Sequence, residues 1–344
     1  MSLPTSLLTR PPTVRPGPGP TRRTASLVVT PEVVAHRGAS GHRPEHTLDA
    51  YRTAIRMGAD ALELDLVPTA DGVLVARHEN ELSRTTDVAE RPELAHLRTT
   101  RVVAGTTLTG WFSEDLTLAQ LRTLTARERM PGLRPGNTRH DGREGVATFT
   151  EVLAMLGAES TRAGRSIALL VEIKEPAYFA GRGIAVEEPL LADLARYGLD
   201  GPRSPVVLMS FDGGVLRRLA ARTRLPLVRL LDLGDDVGPA ALDEIETYAD
   251  GLGVHHELVL PRTPEGFLAP ATGLVRDAHR RWLGVHVWTL RAENRFLARE
   301  HRRGADPAGH GDVGAAAAAL LAAGVDGLIT DHPDLVLPAV RALA

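Results

Sequence analysis

At 344 residues, with 43% apolar and 24% charged side chains, the chain can bury one large barrel core or two ordinary ones. A formal net charge of −3 makes no electrostatic case for nucleic acid, and the absence of cysteine excludes disulfides and thiolate metal sites. No apolar run approaches the roughly 18 residues that cross a bilayer, so no stable membrane association is expected.

Residues 1–30, which include PPTVRPGPGPTRRT, read as a disordered Pro/Gly/Arg-rich lead-in. They lack the continuous apolar core and small-residue cleavage site of a signal peptide. A soluble protein is expected, with the compartment and oligomeric state left open.

From Glu32 onward, short apolar runs alternate with helical patterns. The strand candidates in chain order are 32–36, 61–66, 73–77, 167–173, 205–210, 226–231, 251–254, 284–289 and 326–330. The helix candidates are 47–57, 150–163, 187–197, 213–222, 239–248, 271–281 and 314–323. Strands spaced by helices build a parallel sheet, and about eight such units close into a TIM-type (β/α)8 barrel. Nine strands is one too many. The link Thr69-Ala70-Asp71-Gly72 is too short for a parallel crossover, so 73–77 is expected to fold back on 61–66. Residues 80–147 are polar and turn-rich, and read as a lid or specificity insertion after the His78 strand. A smaller insertion occupies about 293–312. The whole of 31–344 is taken as one catalytic barrel.

The ionisable residues fall where such a barrel keeps its chemistry. Glu63 and Asp65 share one face of ALELDL, Glu172 and Lys174 share one face of LLVEIK, and His36 and His78 each end a run. Three carboxylates converging in one barrel mouth need a cation, and oxygen-only ligands select a hard divalent ion such as Mg²⁺ or Ca²⁺. Lys174 stands out further, because it is the one lysine among 40 basic side chains. A cation with Arg37 and Lys174 suits a phosphoryl group, and two histidines suit proton removal and delivery. Taken singly, an E-x-D pair or a histidine is ordinary; their joint placement at strand ends is not. Neither a P-loop nor a G-x-S-x-G elbow is present.

The run VVAHRGASGHRPEHTLDAYRTAIRMGADALELDLVPTADGVLVARHENELSRTTD resembles the opening of the glycerophosphodiester phosphodiesterases. VEIK (171–174), SFD (210–212), VWTLR (287–291) and GVDGLITDHPDLV (324–336) continue the likeness in family order, over about 32–340. The long insertion is like that of the longer bacterial form. By this resemblance His36 and His78 form the acid–base pair, and Glu63, Asp65 and Glu172 hold one divalent cation, Ca²⁺ or Mg²⁺. Arg37 and Lys174 fall at phosphate-contacting positions, Glu45 at an active-site carboxylate (ligand or neighbour of the ligands), and Phe211 and Trp288 at wall positions. Glu79 replaces the usual aspartate after the second histidine, and His46 replaces the asparagine between Glu45 and Thr47, which puts hydrogen bonds there in doubt. The implied reaction cleaves glycerophosphodiesters to sn-glycerol 3-phosphate and an alcohol. A phospholipase D-like action on lysophospholipid or sphingolipid head groups is the alternative, and a catalytically dead binding barrel is opposed by the full set of residues.

Overall fold

The computed structural model describes residues 31–342, so the lead-in at 1–30 lies outside it. Its strands are β1 (Glu32–Ala35), β2 (Ala61–Pro68), β3 (Leu74–Ala76), β4 (Thr99–Val103), β5 (Thr106–Gly110), β6 (Ala168–Ile173), β7 (Val206–Ser210), β8 (Leu227–Leu231), β9 (Gly251–His255), β10 (Gly284–Leu290) and β11 (Gly327–Thr330). Eight of them, β1, β2 and β6 to β11, run parallel in that order. β1 pairs with both β2 (Val34↔Ala61) and β11 (Val34↔Ile329), which closes the barrel.

Alternation along each strand separates two environments. Leu62, Leu64 and Leu66 of β2 join the apolar layer between strands and helices, whereas Ala61 lies with Val34, Leu170, Met209, Val228, Leu230 and Ile329 inside the barrel. Glu63 and Asp65 share the parity of Ala61, and Glu172 shares that of Leu170, so these carboxylates point inward.

The short segment β3 folds back antiparallel on β2, with Leu66↔Ala76 and Pro68↔Leu74. His78 therefore does not end a barrel strand. The return carries the chain past Asp65, whose carbonyl accepts from the Arg77 N–H at 3.0 Å, and leaves His78 beside the inward carboxylates.

Helices follow the strands close to the expected bounds, their starts set by capping side chains: Thr47 accepts from the Ala50 N–H, Thr148 and Glu151 form a capping box, and Asp212 accepts from the Val215 N–H. The candidate at 271–281 shortens to Leu274–His279. A closing helix, Pro333–Arg341, carries Pro338 in its interior, which hid it from a reading by periodicity. The insertion at 80–147 contains the β4–β5 hairpin, several 3₁₀ turns and one short helix, Leu118–Leu121. No helix among the described residues is long and apolar enough to cross a membrane.

Candidate active site

The C-terminal ends of the barrel strands surround a cavity of about 960 Å³. His36, Arg37, Glu63, His78, Glu172, Lys174, Phe211 and Trp288 all line it. Glu45 and Asp65 do not. Both are buried behind its wall, where they hold the groups that do.

β1 delivers His36 and Arg37. The Nδ1 of His36 is 2.6 Å from Asp331 Oδ1, which leaves Nε2 as its free ring nitrogen. Arg37 adopts a left-handed backbone (φ 58°), a conformation that costs an L side chain about 1–2 kcal/mol. Its N–H donates to Glu63 Oε2 at 2.9 Å and its guanidinium to Glu45 at 3.2 Å, with Asp65 Oδ2 3.2 Å from Nε. The next residue, Gly38 (φ +83°), must be glycine, because a Cβ there would lie 2.7 Å from the Ala50 carbonyl carbon.

Glu63, Asp65 and Glu172 bring one oxygen each within 4.8 Å of one another, all buried. Lys174 Nζ stands 2.7 Å from Glu172 Oε1 and 3.1 Å from Asp65 Oδ1. Crowding without a full set of counter-charges shows in the titration behaviour. Burial, then the neighbouring Asp65, pushes the Glu63 carboxyl well up. Burial also lifts Glu172 to about 8, against the pull of Lys174. Asp65 alone stays well below the usual range: burial opposes this, but Lys174, Arg37 and the hydrogen bond with His46 outweigh it.

His78 is about one-third exposed, with Nδ1 2.8 Å from Glu79 Oε1, a contact short enough for a hydrogen bond but poorly aligned. Both histidines are held neutral: desolvation first, then Arg37, brings His36 down to about 4, and desolvation first, then Arg37 and Lys174, brings His78 down to about 3. His46, despite replacing the expected asparagine, does supply hydrogen bonds. Its Nε2 lies 2.9 Å from Asp65 Oδ2 and its Nδ1 2.8 Å from the Tyr51 hydroxyl.

Phe211 is 37% exposed at the rim and meets Trp288 edge-on, with ring centroids 5.7 Å apart. The Trp288 indole N–H donates to the Gly253 carbonyl at 3.0 Å, fixing that wall.

The sequence pattern of the glycerophosphoryl diester phosphodiesterase family matches residues 36–335, nearly the whole described span. The chain belongs to this family. As a glycerophosphoryl diester phosphodiesterase family member it is 33% identical to a glycerophosphodiester phosphodiesterase of Arabidopsis thaliana over 88% of this chain and 83% of the relative. It is 31% identical to a glycerophosphodiester phosphodiesterase of Bacillus subtilis over 88% and 84% of the two chains. Its fold is also that of an Oleispira antarctica phosphodiesterase solved with the product sn-glycerol 3-phosphate (TM-score 0.60, 19% identity, covering 91% of this chain and 97% of that one).

Several groups in this family member's site were not singled out from sequence. Asp331, just past β11, is buried and salt-bridged to His36, Arg134 and Arg291. It sits at a strand end within the DGLITDHPD motif, so its position was readable although its role was not. Arg129 and Arg134 come from the insertion, where no local periodicity marks them. His255 and His256 line the far wall, His256 brought to about 3 by burial and by the stacked His255 ring.

A second group with ligand-like spacing, Glu293, His310 and His332, lies outside the cavity lining. The Ala292 N–H donates to His332 Nδ1 at 3.3 Å, which puts the ring proton on Nε2, and Arg134 Nε occupies Glu293 Oε1 at 2.5 Å.

Proposed function

We propose that this protein hydrolyses glycerophosphodiesters to sn-glycerol 3-phosphate and an alcohol, with residues 31–344 acting as one catalytic unit. The carrying observation is the meeting, in one cavity, of two histidines with unbonded Nε2 atoms, a buried carboxylate cluster, and Arg37 and Lys174. The product-bound Oleispira antarctica phosphodiesterase of the same fold is consistent with this substrate class.

Charge supports a resident divalent cation held by Glu63, Asp65 and Glu172. Three buried carboxylates, those of Glu63, Asp65 and Glu172, crowd within 4.8 Å of one another, and the cationic side chains in contact with them are Arg37, which also serves Glu45, and Lys174. The cluster holds more carboxylates than the cations beside it neutralise, which a cation would relieve, and the all-oxygen donors suit Ca²⁺ or Mg²⁺. When bound, such an ion would polarise the phosphoryl group as a Lewis acid.

The side chains account for the remaining steps. Arg37 and Lys174 bind and orient the phosphoryl oxygens. One neutral histidine takes the proton of the nucleophile, a water or the substrate's own glycerol hydroxyl, through its Nε2. The other, once protonated, gives a proton to the leaving alkoxide. A bound phosphodiester anion neutralises the cations that hold these rings low, so substrate binding itself favours protonating the acid. Phe211 and Trp288 form an apolar wall for the carbon skeleton.

The cavity lies near the top of the range for small-molecule sites, about 300–1,000 Å³. Val102, 62% exposed, stands two residues before the hairpin-tip Ala104 that lines it. These features favour, as a second reading, phospholipase D-like cleavage of lysophospholipid head groups. A panel of glycerophosphodiesters and lysophospholipids assayed with Ca²⁺ and with Mg²⁺ separates the two. The first reading expects water-soluble diesters to have the higher kcat/KM, and preference for lysophospholipids would replace it with the second.

Two expected outcomes test the charge arrangement. The first is that Lys174→Arg lowers kcat/KM at least about tenfold, because a forked guanidinium cannot reproduce the contacts of Nζ with both Asp65 and Glu172, and a charged hydrogen bond is worth about 1.5–3 kcal/mol. Near-normal activity would show that any cation suffices there.

The second concerns cation binding as a function of pH. Because the Glu172 carboxyl is raised to about 8, a proton competes for its oxygen at neutral pH. Cation affinity should therefore climb as the pH rises from 6 to about 8, with proton release on binding over that interval. Calorimetry in buffers of different ionisation enthalpy checks this, and pH-independent affinity over that interval would remove Glu172 from the ligand set.

A further inference from the structure

Glu128 to Arg134 forms a tight turn of the insertion against the back of the site. Glu128 Oε1 accepts from the Met130 N–H at 2.8 Å, its Oε2 accepts from Asn137 at 3.0 Å, and the Arg134 N–H donates to the Met130 carbonyl at 2.8 Å. The turn presents two arginines, five residues apart, to two different carboxylates of the barrel.

Arg129 contacts Glu79 at 2.7 and 2.6 Å and Glu45 at 2.5 and 2.6 Å. Glu79 in turn stands 2.8 Å from His78 Nδ1. Arg134 donates to Asp331 Oδ2 at 2.5 Å, to Glu293 Oε1 at 2.5 Å and to the Ser40 carbonyl at 2.9 Å. The other oxygen of Asp331 is 2.6 Å from His36 Nδ1. Each histidine thus has its own carboxylate, and each carboxylate an arginine from the same turn, with Arg291 Nε also 2.8 Å from Asp331 Oδ2. Neither arginine lines the cavity.

We propose that Arg129 and Arg134 are positioning residues for catalysis, the first acting on His78 through Glu79 and the second on His36 through Asp331. A carboxylate on Nδ1 fixes the ring's tautomer and aims Nε2 at the substrate, and it does so only while it is itself held. Forked, charge-assisted contacts hold a carboxylate in orientation as well as in charge. The insertion then completes the catalytic shell from behind, in addition to any part its hairpin plays at the mouth. This inference rests on the acid–base reading of the two histidines.

The test uses the full chain with Arg129→Met, Arg134→Met, the two lysine variants, His36→Ala, His78→Ala and the matched double variants. Each is assayed on glycerophosphocholine and on a nitrophenyl ester of glycerol phosphate. The ratio of the two rates does not depend on the folded fraction, so partial misfolding leaves the readout intact. Arg134→Met should lower kcat about 10–100-fold with KM little changed, and lysine should restore part of the loss. Arg129→Met should also raise KM, because Glu45 is the partner of Arg37.

The Arg134 variant should share the substrate ratio of His36→Ala, and the Arg129 variant that of His78→Ala. Combining an arginine variant with its own histidine variant should lower kcat by less than about a further twofold, whatever the separate KM effect of Arg129→Met through Glu45. Effects that multiply within these pairs, or a ratio that follows the other histidine, would overturn the proposal. If the histidine variants show no difference between substrates, the acid–base reading fails by itself. The additivity result still decides whether each arginine works through its own ring.

Discussion

Replacing His36 or His78 by alanine should give two different patterns of loss on two substrates. Each ring has its Nδ1 beside a carboxylate and its Nε2 unbonded, and both line the cavity that holds the carboxylate cluster. That placement allows the rings to serve the two ends of a phosphodiester in an in-line displacement. Proton delivery matters only when the leaving group is a poor one, since an alkoxide needs a proton and a nitrophenolate hardly does. Loss of the acid should therefore reduce glycerophosphocholine cleavage by about 10²–10⁴-fold while sparing a nitrophenyl ester of glycerol phosphate. Loss of the base should damage both substrates alike. Steady-state kinetics on the pair of substrates reads this directly. Identical patterns for the two variants, or natural turnover left intact by either, would contradict the division of labour.

Stripping divalent cations should have the other large effect. Glu63 and Glu172 are raised by burial in a cluster that two nearby cations do not fully neutralise, so the site is electrostatically incomplete by itself. Lewis-acid stabilisation is worth several kcal/mol, and each 1.36 kcal/mol is a factor of ten. Exhaustive chelation should thus lower turnover by at least about 10³-fold, with recovery on adding Ca²⁺ or Mg²⁺. Glu63→Gln and Glu172→Gln should weaken that recovery. Full activity after chelation would mean that Lys174 and Arg37 alone neutralise the phosphoryl group.

Much of this site could be read from the chain because it lies on regular elements. Strand alternation placed Glu63 with Asp65, and Glu172 with Lys174, on the inner face; the short Thr69–Gly72 link required β3 to fold back. The structure has both features. Other parts depend on contacts between distant segments. Arg129 reaches Glu45 across 84 positions and Arg134 reaches Asp331 across 197, from an irregular segment with no periodic signal. Glu45 reads from sequence as an active-site carboxylate, but its two oxygens are taken by Arg129 and Arg37, behind the cavity wall. His46 fills the asparagine position by a different route, its two ring nitrogens meeting Asp65 and Tyr51 at once.

Product identity tests the central claim most directly. The full chain, loaded with Ca²⁺ or Mg²⁺, is incubated with glycerophosphocholine, and the phosphorus products are followed by ³¹P NMR. Cleavage on the alcohol side of phosphorus should yield sn-glycerol 3-phosphate and choline in equal amounts, with neither formed after chelation. Phosphocholine and glycerol as products, or sn-glycerol 3-phosphate formed at an undiminished rate without a divalent cation, would contradict the account.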